Sequence, residues 1–189
     1  EAQDALADGA PRTLSYTLLD PSTGDPGVCG GQVGLFLEPY MPPTRVFVVG
    51  AGHVGLAVVD LAGWLDLDVV VWDDRPELLA EVPAGITIHG GSIGDVTPQV
   101  DARTAVVLVT RNVALDVELL PTLLATEAPF VGVMGSARRW STTRRLLVDA
   151  GVAEDLLSRV RTPVGIEIGA ETPRQIAVSI LAQVIGEGL

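Results

Sequence analysis

The chemistry in this sequence is concentrated in a few short clusters. The first is Gly50-Ala-Gly-His-Val-Gly55, where the β-branched run Val46 to Val49 enters a G-x-G-x-x-G spacing and an apolar-periodic segment, Leu56 to Leu65, follows at once. In a strand, tight turn and helix, this spacing seats an anion. Gly50 allows the sharp turn, Gly52 lets a phosphate approach the backbone, and Gly55 lets the helix pack on its strand. The start of the helix, with His53 and Val54, adds unpaired N–H groups and a partial positive charge. A second cluster, Asp73-Asp74-Arg75, closes the apolar run Val69 to Trp72 about 20 residues on, where a ribose-binding acid is expected. A third is Cys29-Gly30-Gly31. Glycine N–H groups beside a thiol could stabilise a thiolate or a bound anion, although spacing alone favours a small buried residue at a bulge.

Two further loops carry groups suited to a phosphate. Thr110-Arg111-Asn112 ends an apolar run, and Gly135-Ser136 opens a helix with Arg138 and Arg139 behind it, a second potential anion cradle. Arg144 and Arg145 read as a solvated helix face. His53 and His89 each read, on their own, as surface or hydrogen-bonded structural histidines. No Cys/His cluster has metal-ligand spacing, and there is neither a G-x-S-x-G elbow nor a convincing catalytic triad.

The elements that must position these groups follow from periodicity. A helix is expected over 1–8, with Ala2, Ala5 and Leu6 on one face and Gly9 as its stop. Strands are expected over 13–19 and 28–37, separated by the turn-rich loop 20–27. Pro42 and Pro43 make 42–44 a linker. Residues 45–189 then alternate strand and helix, with strands at 46–49, 69–72, 86–88, 104–109, 130–134 and 164–168. Pro121 should kink or divide the helix over 113–126. Thr172, Pro173 and Gln175 form a capping box for the last helix, whose stripe Ile176, Ile180, Leu181, Val184 and Ile185 should face the sheet. The fold class is therefore α/β: a Rossmann-like, doubly wound, mainly parallel sheet of about six strands, preceded by a partial small α+β domain. Residues 1–41 hold too little surface to fold alone and read as the closing part of a domain that starts upstream.

Composition narrows the function. The 189 residues carry a net charge of −12, which argues against a nucleic-acid backbone as partner. All twelve basic residues are arginine, which removes Schiff-base and P-loop lysine chemistry. No apolar run is long enough to span a bilayer and none resembles a signal peptide, so no membrane partner is expected. One cysteine excludes an internal disulfide framework and suits a reducing cytoplasm.

The same clusters carry a resemblance. Cys29-Gly-Gly31 with Leu37-Glu-Pro39, Gly50-Ala-Gly-His-Val-Gly55, Asp73-Asp-Arg-Pro-Glu77, Thr110 with Ala114-Leu-Asp116, Gly135-Ser136 and Gly165-Ile-Glu-Ile-Gly-Ala-Glu-Thr-Pro173 resemble the XdhC/CoxI family of xanthine dehydrogenase accessory proteins. The match runs in order along nearly the whole chain. It implies a maturation factor that holds the molybdenum cofactor (molybdopterin or its dinucleotide) during sulfuration and then passes it to a xanthine dehydrogenase-type molybdenum hydroxylase. It further implies a cysteine desulfurase partner and a homodimer. Cys29 would be a molybdenum thiolate ligand or sulfur relay, and the protein a carrier rather than a catalyst. Two departures stand out. Family members have a Ser-Gly-Gly-Cys-type motif upstream of where this chain starts, and they usually read Thr-His where this chain has Thr110-Arg111. The alternatives left open are an NAD(P)-binding oxidoreductase or NAD-sensing domain with Asp73 on the ribose, and a scaffold serving only as a dimer platform.

Overall fold

The computed structural model describes residues 1–17, 31–40 and 42–188; Cys29, Gly30 and the loop expected over 20–27 lie outside them. The chain forms two compact units, Glu1–Pro42 and Pro43–Leu189.

In the first unit, helix α1 (Ala2–Asp8) stops at Gly9. Strands β1 (Arg12–Thr17) and β2 (Gln32–Leu37) pair antiparallel, with Arg12 opposite Leu37 and Thr17 opposite Gln32. Arg12 donates to Asp8 at 2.6 Å, tying α1 to the start of β1. Of the expected apolar helix face only Ala5 is buried; Ala2 and Leu6 are exposed.

The second unit is a parallel six-stranded sheet flanked by helices. In chain order it comprises β3 (Arg45–Val49), α2 (His53–Trp64), β4 (Asp68–Trp72), α3 (Pro76–Leu79), β5 (Thr87–His89), β6 (Thr104–Leu108), α4 (Val113–Leu124), β7 (Phe130–Val133), α5 (Ala137–Asp149), α6 (Glu154–Ser158), β8 (Val160–Arg161) and α7 (Pro173–Gly186). Two short 3-10 turns, Ile93–Asp95 and Thr97–Gln99, occupy the crossover from β5 to β6. The strand order is β5-β4-β3-β6-β7-β8, and every pairing is parallel. This is the doubly wound Rossmann arrangement, in which strand order reverses between β3 and β6.

Strand β3 sits at the centre because its side chains are apolar on both faces. Val46 and Val48 join α2 and α7 in one core, with Val58, Val59, Ile180 and Leu181. Phe47 and Val49 join α4 and α5 in the other, with Leu119, Leu120, Leu123 and Leu147. Such two-sided burial is what turns an alternating strand pattern into a continuous apolar run.

Three local expectations are corrected. The sixth strand is Val160–Arg161, which pairs with Val131 and Gly132; it does not lie over 164–168. Val164 N still donates to the Val133 carbonyl at the end of β7, but beyond it the segment bonds to α7: Ile166 N donates to Ser179 O, Ser179 Oγ donates to Ile166 O, and Gly165 N donates to Gln183 Oε1. Its alternation therefore reports no ladder, and Ile166 and Ile168 are exposed. On α7, the capping box forms as the spacing predicts, but Ala177 is buried in the stripe while Ile185 is exposed. Pro121 lies inside α4 without dividing it. Burial of Leu119, Leu120, Leu123 and Leu124 around it outweighs the hydrogen bond that Pro121 cannot donate to the Val117 carbonyl.

Because Pro121 is exposed and its ring contributes nothing to the core, Pro121→Ala should stabilise the unit by about 1–3 kcal/mol. Urea unfolding should show a higher midpoint at unchanged slope; an unchanged or lower midpoint would mean that the helix axis has adapted fully to the ring.

Candidate functional site

Leaving β3, the chain turns at Gly50 with φ +115°, and a Cβ there would meet the Val109 carbonyl oxygen at 2.9 Å. Gly50 N donates to Trp72 O at 2.7 Å, so the turn stays attached to the end of β4. A Cβ on Gly55 would lie 1.8 Å from the Gly50 carbonyl oxygen, so α2 starts directly against the turn. Around Gly52, by contrast, nothing lies within 4 Å of an added Cβ. The three glycines therefore divide the work as the spacing predicts: a sharp turn, an open approach and close packing.

Gly52 is also the N-cap of α2 and supplies no side chain to its first N–H groups. The other three long helices are capped by their own chain: Asn112 accepts from Leu115 N, Ser136 from Arg139 N and Thr172 from Gln175 N. Beside Gly52 lies a hollow of about 210 Å³ lined by Ala51, Gly52, His53, Leu56, Arg75, Leu78 and Glu81. His53 is exposed there as the first helical residue, whereas the Val54 side chain packs into the core, leaving its backbone to face the turn.

Asp73, at the end of β4, is buried and saturated. Its Oδ2 accepts from Ala51 N at 2.7 Å and Arg75 Nη2 at 2.9 Å, and its Oδ1 accepts from Arg75 N and Arg75 Nε, both at 2.9 Å. A carboxylate offers about four lone-pair sites, and all of them are used in holding Arg75 and the glycine turn. Asp74 is engaged from the other side of β3. Its two oxygens accept from Arg111 Nη1 and Nη2, both at 2.6 Å, from the loop after β6. The Arg111 guanidinium holds the Asp74 carboxyl down to about 2, from an ordinary 3.8.

A second network joins the loops after β6 and β7. Asp116, fully buried on α4, accepts from the Thr110 hydroxyl and from Arg139 Nε at 3.0 Å and Nη2 at 2.7 Å. Arg139 also donates to the Thr110 hydroxyl at 2.8 Å and to its carbonyl at 3.2 Å. The guanidinium lies back over Gly135, where a Cβ would meet Arg139 Cδ at 2.8 Å. A side chain three residues into a helix tilts towards the N-terminus, which explains that course.

Of the residues expected in the site, Gly50, Gly52, His53, Val54 and Gly55 converge on one turn, and Asp73 and Arg75 adjoin it. Thr110 and Gly135 belong instead to the Asp116–Arg139 network, and the Ser136 hydroxyl is engaged as a cap. Arg138 is exposed, and its guanidinium has no hydrogen-bond or ion-pair partner among the described residues. Arg139 is the residue whose role the sequence pattern understates; its signal is its place as the third residue after the Ser136 cap, one turn behind a glycine. His89 makes a 3.2 Å contact with the Gln99 amide nitrogen. Gly31 lies outside any element, with open space where a Cβ would stand. Among the described residues no group of three or more His, Cys, Asp or Glu could hold a metal ion, and no helix is long and apolar enough to cross a membrane.

Residues 46–184 match the XdhC Rossmann domain family. Among curated relatives, the chain is 34% identical over 164 residues to the uncharacterised Escherichia coli protein YqeB, covering 83% of this chain and 30% of the relative. It is 30% identical to a Bacillus subtilis protein described as a probable xanthine dehydrogenase subunit, covering 80% of this chain and 45% of the relative. It is 27% identical to the E. coli molybdenum cofactor insertion chaperone PaoD, covering 82% and 43%. The chain thus spans less than half the length of each. A crystal structure described as a xanthine dehydrogenase from Bacillus halodurans superposes with a TM-score of 0.64 at 22% identity, covering 97% of this chain and 77% of that one, and shares the fold.

Two outcomes follow from the ion pairs. Since the Asp74 carboxyl lies below its ordinary value, its contact with Arg111 stabilises the fold above about pH 4 and fades as pH falls towards about 2. NMR titration of the Asp74 side-chain carboxyl should give a midpoint near 2, returning towards 3.8 in Arg111→Ala. Removing the buried acid, Asp116→Ala, leaves Arg139 without its carboxylate and should lower stability by about 3–5 kcal/mol. Chemical denaturation should show most of that loss recovered when Asp116→Leu is combined with Arg139→Met; no recovery would indicate that packing, not charge, governs the site.

Proposed function

Because the chain belongs to the XdhC family, whose Rossmann domain it carries over residues 46–184, we propose that it binds the molybdenum cofactor as part of a maturation factor for a xanthine dehydrogenase-type molybdenum hydroxylase. One observation carries this reading: the long helix α2 begins at a glycine, without a side-chain cap, beside open space and a hollow containing Arg75. Backbone N–H groups at a helix start, with a partial positive charge behind them, suit the phosphate of an anionic pterin. In this reading the N–H groups of His53, Val54 and Gly55 hold the phosphate, and the Arg75 guanidinium supplies charge beside it. The cofactor itself brings the metal and its sulfur ligands. Cys29, a soft thiol outside the described residues, is the candidate to ligate molybdenum or relay sulfur. A carrier needs no acid–base pair, so the role does not ask for catalysis. A cysteine desulfurase as sulfur donor, a second copy of the chain and a cytoplasmic setting complete the proposal.

The glycine spacing and strand order also favour an NAD(P)-binding domain. Against it stands Asp73, whose four accepted hydrogen bonds leave a ribose hydroxyl no free oxygen site.

The test is a mass spectrum of the small molecules that co-purify with the anaerobically isolated full-length protein and with Gly52→Asp. Molybdopterin, or its dinucleotide, is expected with the wild type and should be lost from Gly52→Asp at unchanged circular dichroism, since a side chain there meets no protein atom. Equal retention by both proteins would remove the glycine turn from the site. NAD(P) in place of the pterin would transfer the chain to the second reading.

A further inference from the structure

We propose that Asp74 is a built-in competitor for the anion seat: it occupies Arg111 across the mouth of the glycine turn, and a ligand phosphate must displace it to reach that guanidinium. The inference rests on the anion-binding reading of the turn and adds to it a binding residue and the contact that restrains it.

The register places the pair. Val49, the last residue of β3, is paired with Trp72 on one side and Leu108 on the other. Asp74 lies two residues beyond Trp72, and Arg111 three residues beyond Leu108. Their two 2.6 Å bonds therefore join the loops that follow the two strands flanking β3. Two strand spacings, about 10 Å, are bridged by this contact.

The two arginines at this exit are held differently. Arg75 is fixed by a buried carboxylate and lies 3.8 Å from Asp74. Arg111 is held by a carboxylate 36% exposed, and its own side chain is 40% exposed. Arg111 is thus the cation free to change partner. A phosphate presents the same pair of oxygens to the guanidinium fork as a carboxylate does, so the exchange conserves both hydrogen bonds and releases Asp74 to water. Because the clasp must open for every anion that uses Arg111, it lowers affinity by the fraction of molecules in which it is closed. For a carrier, the returning carboxylate promotes release.

The probe is inorganic pyrophosphate, titrated calorimetrically into the full chain at fixed ionic strength. Asp74→Asn should tighten binding about five-fold, the worth of a well-formed exposed ion pair. Arg111→Ala should weaken it about three-fold or more, and adding Asp74→Asn to Arg111→Ala should change nothing further. An equal gain from Asp74→Asn with and without Arg111 would overturn the proposal, leaving Asp74 as one more negative charge near the seat. Wild-type binding with no gain in Asp74→Asn would overturn it alone. No pyrophosphate binding by the wild type or Asp74→Asn would remove the anion-seat reading and this inference with it.

Discussion

The hydrogen bond from Ala51 N to the Asp73 carboxylate is the contact on which this architecture turns. It is short, buried and shared with Arg75, and it joins the end of β4 to the turn that leaves β3. A buried carboxylate is tolerated only when its oxygens are all engaged, and here the engagement itself positions the glycine turn. The Gly50 N–H, donated to Trp72 O, adds a second tie between the same two strands. With the turn held at two points, Gly52 can leave its surroundings open without the loop collapsing into the space. The acid that the dinucleotide pattern places on a ribose is here part of the frame.

Two charge pairs at the same sheet edge illustrate how burial sets the role of a salt bridge. Asp116 and Arg139, with Thr110, form a fully buried acid and a largely covered base, linked by several bonds. Desolvation makes such a pair hard to open, so it fixes the loops after β6 and β7 relative to one another. Asp74 and Arg111 have equally good geometry but stand in water, where an ion pair is worth little and exchanges readily. One edge of the sheet thus carries a rigid brace and a labile clasp on adjacent residues, Thr110 and Arg111.

Much of this was legible in the residues. The strand, turn and helix around Gly50–Gly55, the capping box at Thr172, and the two-sided apolar run of β3 follow from local rules, because each depends on neighbours within a few positions. What the residues do not show depends on partners far along the chain. Over Val164 to Ile168, alternation cannot tell a ladder from a segment that leaves the sheet after one bond to Val133 and then bonds to a helix, whose partners Ser179 and Gln183 lie more than ten residues on. Arg138 and Arg139 are indistinguishable by type; only the helix phase after Ser136 decides which reaches Asp116. The pairing of Asp74 with Arg111 spans 37 positions and depends on β4 and β6 flanking the same strand, an order that no local pattern encodes.

The approach of Gly55 to the Gly50 carbonyl has an evolutionary consequence. With 1.8 Å available to a Cβ at one position and a blocked, positive-φ backbone at the other, both sites are closed to every side chain the genetic code offers. Substitution that leaves this turn intact is therefore confined to its neighbours, such as positions 52 and 53, where an added side chain meets open space or solvent.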